Sequence, residues 1–98
     1  MSKNQIIEAV RQQTVTVNSF SEVDVSGLKC LIIAVYINPL DYPQDCVARI
    51  FDLDQPTNII LSRRTLEELR ADIIQTFPHM VRFDRAKNDV QCVAETWI

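Results

Sequence analysis

The stretch from Leu28 to Ile37 limits the fold more than any other part of the chain. It opens just after the only glycine, Gly27, and every residue in it except Lys29 is apolar or aromatic. At strand spacing, Leu31, Ile33, Val35 and Ile37 point one way and Cys30, Ile32, Ala34 and Tyr36 the other. A strand that is apolar on both faces belongs in the interior of a sheet, covered at least in part on both sides. A single layer of helix covers one face only. The other then needs a partner chain or the remaining short elements.

The flanking segments supply candidates for those layers. Residues 2–13 read as an amphipathic helix capped by Ser2, with Ile6, Ile7 and Val10 on one face. Thr14–Val17 alternates with β-branched residues, a strand signal, and Glu22–Val25 alternates again. Asn18 and Ser19 either turn the chain between these two pieces or sit within one bent strand. Asn38–Asp45 holds two prolines and reads as a loop. Cys46–Asp52 is the next strand, with Val47, Arg49 and Phe51 on one face and Cys46, Ala48 and Ile50 on the other. A turn is expected over 54–58, and Ile59–Leu61 as a short returning strand.

Residues 65–77 carry the best helical pattern, with Leu66, Leu69, Ile73 and Phe77 on one stripe and Ile74 broadening it. Thr65 with Glu68 three residues on is a capping box, and Pro78 closes the helix. His79–Phe83 reads as a strand or an extended lead-in, and Val90–Trp97 as a final strand. The order α, several β, α, β predicts one α+β domain over 1–98. Its expected form is a two-layer sandwich of a mainly antiparallel sheet of four to six strands with two helices, 2–13 and 65–77.

Charge and cysteines narrow the setting. Ten Lys and Arg against thirteen Asp and Glu leave a net charge of −3, unsuited to whole-chain attraction to nucleic acid or an anionic membrane. Residues 18–60 hold only Lys29 and Arg49 against six carboxylates, whereas 61–87 hold six basic side chains against four acidic ones. No apolar run approaches the ~20 residues that span a bilayer, and the start lacks a signal-peptide core. Three widely spaced cysteines, Cys30, Cys46 and Cys92, form neither a disulfide framework nor a redox pair, so a cytoplasmic location is expected. Cys30 and Cys46 read as small core residues that neighbouring strands could bring together.

Ile50–Thr57 resembles the first motif of haloacid-dehalogenase-type phosphatases, in which a strand ends in Asp-x-Asp. Such a resemblance implies Asp52 as nucleophile, Asp54 as acid and a bound Mg²⁺. It extends over about eight residues; Gln55 replaces the usual glycine, Pro56 displaces Thr57, and no later acidic pair completes the metal site. As a calcium loop, Asp52, Asp54 and Asn58 fail at the sixth and twelfth positions, where Thr57 and Arg63 stand. One histidine, His79, and no close cysteine pair leave no transition-metal set, and one glycine precludes a phosphate loop.

With no catalytic, metal or cofactor residues to name, the expectation is a non-enzymatic protein-binding domain of the accessory, inhibitor or regulator type. Its partner is another protein, a second copy of itself included. The contact residues expected are Asp41, Tyr42 and Asp45 in the proline-rich loop, with Arg63 and Arg64 before the helix. Tyr42 is the aromatic expected to face solvent. Trp97 reads as a plug against the sheet, with an interface anchor as the other reading. Two alternatives remain: a small-ligand or catalytic pocket built on Asp52 and Asp54, and a nucleic-acid-associated regulator using the basic segment from Arg63 to Lys87.

Overall fold

The computed structural model describes residues 14–84 and 93–98. The helix expected over 2–13 lies outside the described residues, as do Arg85, Lys87 and Cys92.

The strands are β1 (Val15–Val17), β2 (Leu31–Ile37), β3 (Cys46–Asp52), β4 (Gln55–Arg63), β5 (Arg82–Asp84) and β6 (Val93–Trp97), with one helix, α1 (Leu66–Thr76). They form a six-stranded sheet in the order β1-β4-β3-β2-β6-β5. Every pairing is antiparallel except β1 with β4, which is parallel. The result is an α+β fold with a mostly antiparallel sheet and, among the described residues, one α-helix.

β2 sits between β3 and β6, the interior place its two apolar faces require. Ile33 and Val35 are fully buried with Ala48, Ile50, Leu61, Leu69 and Ile73 in the core beneath α1. The helix begins as its sequence dictates: the Thr65 side chain accepts a hydrogen bond from the Glu68 amide at 3.2 Å. Leu69 and Ile73 are buried and Leu66 and Phe77 half-buried, but Ile74 is exposed. It lies about 100° around the helix from Ile73, so it adds nothing to the buried stripe.

Three expectations are corrected. Glu22–Val25 is not a strand. Phe20, fully buried and in contact with Phe77 at a ring-centroid distance of 6.2 Å, draws the chain into a 3₁₀ turn over Phe20–Glu22. Its amide donates to Asp72 of α1 at 3.0 Å. Val23 and Val25 then pack against the core without entering a ladder, so the alternation records burial, not strand pairing.

The turn expected over 54–58 is instead a two-residue turn at Leu53 and Asp54, because Asp52 pairs with Gln55 and β4 already starts there. Asp52 Oδ1 accepts from the amides of Lys29 and Cys30, both at 2.9 Å, and the Leu53 amide donates to the Cys30 carbonyl at 2.7 Å. These bonds hold Leu53 at φ 58°, a left-handed conformation uncommon outside glycine and asparagine. Pro56 is tolerated inside β4 because β1 pairs with that strand only over 59–61, leaving one side of Pro56 without a ladder to lose. A register shift between Arg49 and Phe51 accompanies it, and Thr57 Oγ1 donates to the Ile50 carbonyl there at 2.7 Å.

The third correction concerns the cysteines. Leu31 pairs with Asp52 and Ile37 with Cys46, so Cys30 and Cys46 stand at opposite ends of the β2–β3 hairpin.

Candidate partner-binding cleft

The loop 38–45 leaves β2 through Asn38, which adopts φ 47°; asparagine tolerates this region better than most residues. Backbone bonds then close the loop on itself. The Asn38 amide donates to the Asp45 carbonyl at 2.9 Å, the Tyr42 amide to the Pro39 carbonyl at 2.9 Å and the Asp45 amide to the Tyr42 carbonyl at 3.2 Å. The Asp45 side chain braces the base: Ser62 Oγ donates to it at 3.1 Å and Arg64 pairs with it at 3.5 Å. Arg64 is largely exposed, so that ion pair adds little stability. The tip displays Leu40 with its whole side chain in solvent, beside an exposed Asp41 and a half-buried Tyr42.

Behind the loop, on the sheet face opposite α1, lies Arg49. Its register partners are Ala34 on β2 and Ile60 on β4, and Ile60 and nearby Val47 are buried. A cleft of about 530 Å³ is lined by Thr14, Asp41, Tyr42 and Arg49. A second, of about 160 Å³, is lined by Tyr36, Pro39, Asp41, Val47 and Arg49. Both are therefore walled by Asp41 and floored by Arg49. The half-buried Arg49 has its Nε out of solvent and without a hydrogen-bond acceptor, and it forms no ion pair among the described residues. A buried N–H left unpaired costs about 1–3 kcal/mol, and native structures carry few of them.

The five expected contact residues thus divide. Asp41 and Tyr42 line the cleft. Asp45 and Arg64 are joined at the base of the loop. Arg63 donates to the carbonyls of Ser62 and Asn18, tying β4 to the segment after β1. Arg49 was missed by sequence reasoning, although a signal existed: a lone cation between Val47 and Phe51 on one strand face.

A second charged cluster, also unforeseen, lies on the α1 face. Glu95 is 1% exposed. Arg70 donates to it through Nη2 at 2.7 Å and Nε at 3.0 Å, Trp97 Nε1 at 2.7 Å, and Arg82 stands 3.7 Å away. Its hydrogen bond to Glu95 holds the Arg70 guanidinium above its usual pKa. Trp97, buried in the core, takes the plug position. These groups satisfy one another and stand as structural.

The carboxylates of the alternative pocket stand elsewhere. Asp52 is occupied by two backbone amides and Asp54 is exposed in the hairpin turn; neither lines either of these two clefts. Among the described residues no group of three or more His, Cys, Asp and Glu could hold a metal ion. Burial, with Asp45 and Glu67 nearby, pushes the Cys46 thiol up and makes it a poor nucleophile at neutral pH. Among these residues, too, no helix is long and apolar enough to cross a membrane. Comparison with protein-family models, curated proteins and solved structures finds no match to the chain.

Proposed function

We propose that this chain is a small protein-binding domain of the accessory or regulator type, which docks a protein partner through the 38–45 loop and the cleft behind it. The observation that carries this reading is a braced loop presenting fully exposed Leu40 and half-buried Tyr42 next to an arginine whose buried Nε lacks an acceptor. Tyr and Arg are enriched among residues that dominate binding energy, and a loop already held by its own hydrogen bonds loses less entropy on association. A side chain such as Leu40, held in water by a rigid loop, gains from being covered. Arg63, Arg64 and Arg70 are each engaged within the chain, which weakens the case for a phosphate-binding patch.

Affinity capture from the native host tests the proposal. Wild-type bait is expected to retain a stoichiometric partner, and Leu40→Asp or Tyr42→Ala to reduce retention by about tenfold or more. Unchanged retention by both variants, with melting curves showing them folded, would refute it. A second copy of the chain counts as such a partner. Light scattering would then read twice the 11.3 kDa mass, and Leu40→Asp would return it to the monomer value.

A further inference from the structure

We infer that Arg49 is the receptor for a side-chain carboxylate, from an Asp or Glu of the partner; this rests on the docking role proposed for the same cleft. Among the described residues five arginines are present, and four reach an acceptor inside the chain. Arg63 binds two carbonyls, Arg64 pairs with Asp45, and Arg70 and Arg82 both face Glu95. Arg49 alone keeps a buried donor, its Nε, without an acceptor, although Asp41 lines the same two clefts. Both residues line those clefts, so a group that entered there from outside would meet the guanidinium.

The surroundings select which group. The floor beside Arg49 is apolar, with Ile60 and Val47 buried, and a charge-assisted bond strengthens where water is scarce. A planar carboxylate accepts two parallel bonds from one guanidinium. A phosphate monoester would bring nearly two charges to a single cation beside Asp41, in a region, 18–60, that already carries an excess of four carboxylates. The monoanion is the better match. A side chain fits better than a chain terminus because Leu40 and Tyr42 extend the surface past the cleft, so the partner lies across it.

The test follows the Arg49 Nε–H signal by NMR in the full chain, assigned by its loss in Arg49→Lys. N-acetyl-glutamate N-methylamide is titrated to ~0.1 M at constant ionic strength, with the glutamine analogue and inorganic phosphate as the other arms. A saturable shift with the glutamate probe is expected, about tenfold weaker or absent with glutamine, and smaller with phosphate at equal concentration. No saturable shift, or an equal one with glutamine or phosphate, overturns the inference. Partner capture separates the two levels. Retention lost in Leu40→Asp but kept in Arg49→Gln would sink the carboxylate receptor and leave the docking role standing. Retention kept in Leu40→Asp and Tyr42→Ala would sink the docking role.

Discussion

Glu95 on β6 and Arg49 on β3 are both charged side chains in mid-strand, separated by β2 and facing opposite sides of one sheet. Around Glu95 the chain has gathered a guanidinium, an indole N–H and a second arginine. Among the described residues Arg49 has no such set, and its Nε is unpaired although Asp41 lines the same clefts. Burial of a charge is tolerated when its hydrogen bonds are filled, and it then specifies the packing around it. A charge left open lowers stability and needs another reason to persist. The contrast sets a charge that the chain satisfies itself against one whose Nε it leaves unpaired, and the proposed docking role rests on that difference.

Substitutions can sharpen or break that contrast. Glu95→Ala strands Arg70 and the Trp97 N–H together and is expected to cost about 3 kcal/mol in urea unfolding; a loss below ~1 kcal/mol would mean the network is not structural. Trp97→Phe keeps the ring packing but removes one donor to Glu95, so a loss of about 1–2 kcal/mol is expected by the same measurement. Arg82→Ala removes the most distant and most exposed member, and thermal melting should register about 0.5 kcal/mol or less.

The smallest effect belongs to Asp24, outside both regions. The Ser26 hydroxyl and then its amide hold this carboxyl below its ordinary range. A depressed carboxyl adds stability that is present above the unfolded-state pKa and fades as pH falls through the folded one. Asp24→Asn should therefore lower stability slightly at neutral pH, with the difference from wild type vanishing as the pH falls through the folded-state pKa. A larger loss in acid than at neutral pH would contradict the assignment.

Local signals were legible where the backbone answers to its own residues. Cys46–Asp52 has the bounds its alternation predicts, β2 takes the interior place its two apolar faces demand, and Thr65 caps α1 with Glu68 in position. Errors arose where a distant group decided the outcome. Phe20, buried against α1, turned an alternating stretch into a 3₁₀ turn, and Asp52, gripping two amides from beyond Gly27, moved the β3–β4 turn to Leu53. The site divided in the same way. That Asp41 and Tyr42 share an exposed loop could be read from the sequence, whereas the unpaired Arg49 Nε and the closure around Glu95 depend on which strands become neighbours. That order is written in no single segment.

The urea midpoint of Arg49→Met beside that of the wild type tests the central claim most directly. Methionine fills similar space on the apolar floor without a donor to strand, so the variant is expected to be more stable by about 1 kcal/mol. A lower midpoint, with the unfolding slope unchanged, would show that Arg49 already holds its own fold together and is not kept open for a partner.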